Sequence, residues 1–140
     1  MKNHIKWLGI IAILAVIGFS FAACGGSEPE KTISITGIPA EYLTATYRHY
    51  VYVNGTDGKM AARGSGQLSG STGTFDLYIL KEISENSYTQ TTDRWTGKGT
   101  LRVNLTINLG GNNNKFFSAQ AISITDAVTT IPFSKFQASN

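Results

Sequence analysis

The chain carries one cysteine and three prolines among 140 residues, and charged side chains make up only 15% of it. A single thiol excludes an internal disulfide framework and any zinc site built from several cysteines, since both need sulfur in pairs or clusters. No GxSxG, Walker A or HExxH pattern occurs, which removes the usual signatures of a nucleophile elbow, a phosphate cradle and a zinc protease. The glycine-rich Gly64-Ser65-Gly66 has no lysine and helix behind it, so it does not read as a phosphate loop. The formal net charge of +3 is spread out, with no segment dense in lysine and arginine; nucleic acid is therefore not an expected partner.

What is present begins with an address. Lys2 and Lys6 precede an uncharged run of 13 residues, 7–19 (WLGIIAILAVIGF), inside the roughly 7–15 typical of a signal-peptide core and short of the roughly 20 a spanning helix wants. Phe21-Ala22-Ala23-Cys24-Gly25 then resembles the lipobox of bacterial lipoproteins, with Phe21 where leucine is usual, a relaxation familiar from spirochaete-type members. The resemblance implies that Cys24 is lipidated and becomes the mature N-terminus. Several acyl chains then hold the protein stably, where one alone binds reversibly. It further implies a cell-envelope location, and Gly25 rather than Asp after the cysteine favours the outer membrane. Residues 25–30 (GGSEPE) form a polar tether. The expected organisation is a signal peptide over 1–23, lipidated Cys24 and tether over 24–30, and one domain over 31–140.

Cleavage before Cys24 leaves 117 of the 140 residues and removes two of the 12 basic side chains, giving 10 basic against 9 acidic and a balance of +1. The remaining sequence alternates apolar and polar residues at period two, the pattern of half-buried strands. Ile33 and Ile35 share a face, as do Tyr47, His49, Val51 and Val53, then Phe75, Leu77 and Ile79. Leu101, Val103, Leu105, Ile107 and Leu109 give the longest example, followed by Ile122 with Ile124, and Ile131 with Phe133 and Phe136. One apolar side per strand points to antiparallel sheets with one wet face. Asn54-Gly55-Thr56-Asp57-Gly58, residues 69–73 (SGSTG) and residues 110–114 (GGNNN) supply turn chemistry. Residues 39–43 are expected to make one helical turn, and 80–85 (LKEISE) a short helix or a strand end. The expected fold is all-β, an antiparallel sandwich of about 7–8 strands, with a small barrel as the alternative. A hydrophobic signal-peptide helix would precede it.

Residues 35–42 (ITGIPAEY) resemble the opening of a β-rich domain found in small spirochaete-type lipoproteins. Gly97-Lys98-Gly99-Thr100-Leu101 and Ile131-Pro132-Phe133-Ser134-Lys135-Phe136 match its central strand and its end, although Leu43-Thr44 replaces the expected Asn-Gly turn. The resemblance implies location and fold and brings no activity.

Candidate chemistry is sparse. His49 lies on an apolar strand face with no nucleophile signature beside it, so a structural role is expected. Glu41, Asp76, Glu82, Glu85 and Asp93 are scattered, unlike the facing pair that glycoside cleavage needs. Asn54 and Asp57 lack the carboxylate spacing of a calcium loop. No enzyme activity, metal or cofactor is expected beyond the covalent lipid on Cys24, palmitate being one of the acyl groups it would carry. The aromatic residues carry the one hint of binding. Tyr50 and Tyr52 stand opposite Val51 and Val53 and share their face with Arg48, while Trp95, Tyr42 and Tyr88 fall near presumed loops with Arg94. Tyrosine, tryptophan and arginine together make interface hot spots, and aromatic faces stack on sugars. Tyr50, Tyr52, Arg48 and Trp95 are thus a candidate surface for a protein or glycan, unless the two tyrosines line a strand buried on both sides. The expected function is a membrane-anchored, non-enzymatic binding or structural module; the alternative is a lipocalin-like carrier of a small apolar ligand.

Overall fold

A computed structural model of the protein describes residues 27–43 and 48–139. The expected signal segment and Cys24 lie outside the described residues, as does Tyr47. Among the described residues eleven strands follow one another: β1 (Thr32–Thr36), β2 (His49–Asn54), β3 (Met60–Gly66), β4 (Leu68–Ser69), β5 (Thr72–Asp76), β6 (Tyr78–Ser84), β7 (Ser87–Arg94), β8 (Gly99–Asn108), β9 (Asn114–Ile124), β10 (Val128–Pro132) and β11 (Gln137–Ala138). They form a four-stranded sheet in the order β10-β1-β5-β4 and a seven-stranded sheet in the order β11-β9-β8-β2-β3-β6-β7. The fold is therefore the expected all-β sandwich, with more strands than the sequence patterning resolves, and the sheets do not close into a barrel. Neighbouring strands are antiparallel except β1 and β10, which run parallel with Ile35 opposite Ile131.

Side-chain alternation builds the core. Ile33, Ile35, Phe75 and Ile131 point inward from the smaller sheet and Val51, Val53, Ala62, Val103, Leu105 and Ile107 from the larger, all at most 2% exposed. The two sheets approach closely where β3 faces β5. Phe75 lies against Gly64, Gly66 and Gly73, at each of which an added Cβ would fall within 3.4 Å of a Phe75 atom. Only glycine lets the ring and the β5 carbonyls come this near.

Residues 73–80, which alternate as one strand, are divided at Leu77. Its N–H donates to the Lys31 carbonyl at 3.0 Å, while its carbonyl accepts from the Trp95 N–H at 2.8 Å. The backbone thus changes partners there, and the chain passes from the smaller sheet into the larger. Ile79 consequently lands near the sheet edge, 38% exposed, instead of joining Phe75 and Leu77 in the core. Of residues 80–85, the first five are the end of a strand rather than a helix, and Glu85 begins the turn. They belong to a β6–β7 hairpin closed at Asn86, whose φ of 59° is the left-handed conformation asparagine tolerates in turns. Only Tyr78 and Ile79 of that hairpin pair with β3, so most of it is an exposed two-stranded arm bearing Ile83 at 63% exposure. Lys59 and Glu82, 2.7 Å apart, tie the arm to the β2–β3 hairpin.

The expected helical turn is a single 3₁₀ turn, Ala40–Tyr42, and a second, Phe133–Lys135, precedes β11. They bring the two ends of the domain together. The Tyr42 ring lies 5.6 Å from Phe117 and 5.9 Å from Phe133, and Phe117 and Phe133 pack edge to face at 5.0 Å. Tyr42 therefore caps the core.

Candidate functional site

The outward face of the larger sheet is set by the strands whose inward faces build the core. Since His49, Val51 and Val53 are buried, Tyr50 and Tyr52 project outward from β2. Register continues their row through the sheet: Ser118, Asn104, Tyr52, Arg63, Tyr78 and Arg94 stand side by side on six adjacent strands. The next row places Asn54 opposite Arg102 on β8, and Arg102 Nε donates to Gln120 Oε1 at 3.0 Å. Asn104 Nδ2 links the rows by donating to Asn54 Oδ1 at 2.6 Å.

Arg63 sits at the centre. Its guanidinium carbon is 4.3 Å from the Tyr50 ring centroid and 5.6 Å from that of Tyr52, so both rings stabilise the cation through their π faces. Its Nε is buried without a hydrogen-bond partner, and none of the ion pairs among the described residues involves it. The two tyrosines are half-buried against this arginine rather than enclosed between two layers. Their ring faces are partly occupied by it, which makes the cluster an arginine fork flanked by phenols more than a bare stacking platform.

Composition sharpens the electrostatics. β2, β3, β8 and β9 contain no aspartate or glutamate, and they contribute Arg63 and Arg102 outward among asparagine, serine, threonine and glutamine. At the Arg102 end the face dips into an open depression of about 370 Å³ between the β2–β3 turn and Ala121. Ala121 has φ of 53° at a β9 irregularity, a strained conformation for alanine that re-aims the strand there.

Of the four surface residues expected from the sequence, Tyr50 and Tyr52 stand together and Arg48 is exposed just before β2. Trp95 is separated from them. It is 9% exposed in the core cluster, and its backbone N–H and carbonyl bond Leu77 and Lys31. Loop proximity misleads for Trp95 because its segment follows β7 directly over the sheet-switching corner. Arg94, next to it, is a structural anchor: it donates to the Leu77 and Lys31 carbonyls and lies 3.3 Å from both Glu30 and Asp76. Arg63 is the residue the sequence reading omits, because the glycines of β3 hide the alternation of Ala62, Gly64 and Gly66 inward with Arg63 and Ser65 outward.

The other candidates have local partners. His49 is fully buried, its Nδ1 accepts from the Asn108 N–H at 3.0 Å, and burial pushes its pKa below the ordinary value. That hydrogen bond requires the neutral ring and fastens β2 to the end of β8. Asp57 Oδ1 accepts from the Lys59 N–H and Asn54 Nδ2 donates to the Gly58 carbonyl, so both side chains stabilise a turn. Asp76 serves Arg94 and Thr32, Glu82 serves Lys59, and a hydrogen bond to Glu41 raises the Tyr42 pKa. Glu85 and Asp93 lie exposed on the arm. Among the described residues no three His, Cys, Asp or Glu side chains are grouped to hold a metal ion.

Compared with known proteins, the chain matches no family model, no curated protein and no solved structure. The functional reading therefore rests on sequence pattern and geometry.

Proposed function

We propose that the protein is a bacterial cell-envelope lipoprotein, anchored through acyl chains on Cys24, whose sandwich is a non-enzymatic binding module. The observation that carries the binding half is the Arg63 cluster: a guanidinium braced by Tyr50 and Tyr52, with no acidic ion pair among the described residues, at the middle of an open sheet face. The anchoring half rests on the lipobox-like residues 21–25 and the apolar run before them. The outer membrane is the proposed address, on the same grounds. Two open sheets with a filled core favour a surface role over the lipocalin-like carrier, which calls for strands wrapped around a ligand.

Metabolic labelling with a palmitate analogue tests the anchor. The parent chain takes up label and moves into the detergent phase, and Cys24→Ala does neither. Persistent labelling of that variant would overturn the assignment.

A further inference from the structure

We infer that the outward face of the larger sheet recognises a carboxylate-bearing polysaccharide, with Arg63 and Arg102 taking acidic groups and the intervening amides taking hydroxyls. This rests on the binding-module reading above and names its partner. Three features support it. The four strands β2, β3, β8 and β9 contain no Asp or Glu, so the face complements an anionic ligand. The arginines lie two strands and one row apart, about 12 Å between Cα atoms from ordinary strand spacing, with Asn54 and Asn104 between them. An arginine fork matches a carboxylate with two parallel hydrogen bonds, whereas a flexible lysine would offer only a point charge.

The surroundings distinguish a glycan from other anionic partners. β2 and β8 are paired along both edges, so an acidic peptide could not add to them as a strand and would find no apolar groove on this face. Phe116, 52% exposed, is the one large exposed apolar side chain on these four strands among the described residues, too little for insertion into a bilayer. Amides and hydroxyls predominate instead, in Asn54, Asn104, Ser65, Thr106, Ser118 and Gln120. These groups donate and accept in the way a polyol requires.

The test uses the full-length chain in detergent micelles and polygalacturonate as probe. Polygalacturonate should bind, its fully methyl-esterified form should not, and Arg63→Gln and Arg102→Gln should each weaken binding roughly tenfold. Arg63→Lys should weaken it as well, because the charge remains while the fork is lost. Lys81→Gln, which removes the same charge from the exposed arm, should bind as the parent does. Unchanged thermal melting of the arginine variants confirms that they fold. The inference is overturned if no polygalacturonate binds, if Arg63→Gln binds like the parent, or if polyglutamate, duplex DNA or vesicles of equal phosphatidylglycerol and phosphatidylcholine compete equally well. A second arm separates the two readings. If lipid-extracted envelope material, in which acyl chains have nothing to insert into, captures the parent and not Arg63→Gln, yet polygalacturonate does not displace the parent, the polysaccharide assignment fails and the binding module stands. If that material captures both chains equally, or neither, both fail.

Discussion

Replacing Gly64 by alanine tests how the two sheets meet. An added Cβ would lie 2.8 Å from the Asp76 carbonyl oxygen, 2.9 Å from Phe75 Cβ and 3.3 Å from Leu77 Cδ2. The first is backbone and the second is fixed to it, so neither can rotate away. The β5 corner would have to shift, and overpacking of this kind costs about 1–3 kcal/mol. Gly64 does not have a positive φ, so its backbone presents no obstacle to alanine, which elsewhere in a strand would gain about 0.5–1 kcal/mol over glycine. Two contacts under 3.0 Å against atoms that cannot rotate away put the overpacking cost in the upper half of its range, about 2–3 kcal/mol, so subtraction leaves a net loss of about 1–2.5 kcal/mol, a fall in Tm of roughly 5–10 °C for a domain of this size. Circular-dichroism melts of parent, Gly64→Ala and the outward control Ser65→Ala measure it. The control should stay within about 0.5 kcal/mol of the parent. If Gly64→Ala melts at or above the parent, the close approach of β3 and β5 is not as described.

Further outcomes follow from the same contacts. His49 has its pKa lowered by burial, so below about pH 6.5 the unfolded chain binds the extra proton and the folded one does not. Stability is full above that pH and falls as pH drops toward the lowered folded value. His49→Gln keeps an acceptor without titrating, and its urea midpoint should lose less between pH 7 and pH 5.5; an equal loss would place the sensitivity elsewhere. Phe75→Ala empties the space over three glycines and should cost about 3–5 kcal/mol, read by urea denaturation. Ile83→Thr alters the exposed arm, where Ile83 is 63% exposed, and should stay within about 0.5 kcal/mol. Glu-C protease should cut after Glu85 in the exposed β6–β7 turn and spare the Glu28–Pro29 and Glu30–Lys31 bonds, since proline blocks the first and Lys31 at the second is fully buried, its N–H donating to the Trp95 carbonyl at 2.9 Å and its Nζ to the Thr125 carbonyl at 2.7 Å.

The strands that build the core were legible in sequence because one apolar face leaves a period of two. That holds for β1, β2 and β8, and for the three glycine-bearing turns. The signal fails where its cause is missing. β7 (SYTQTTDR) lies in the exposed arm and buries no face, so nothing in it alternates. β3 presents small residues inward, two of them glycine, and hydropathy does not register them. The division at Leu77 comes from partner exchange in the backbone, to which side-chain periodicity is blind. The site was half legible for the same reasons: the alternation of β2 gave Tyr50 and Tyr52, whereas Arg63 becomes their partner only through the β2–β3 register. Trp95 illustrates the converse, an aromatic next to a loop that the sheet-switching corner draws into the core.

The role of the outward face is tested most directly by site-specific photocrosslinking in living cells. A benzophenone side chain at Ser65, in the outward row of Tyr50 and Thr106, should give a higher-mass adduct at the envelope, and the same group at Val128, exposed on the opposite sheet, should not. An adduct from Val128 with none from Ser65 would put the working surface on the other side of the sandwich.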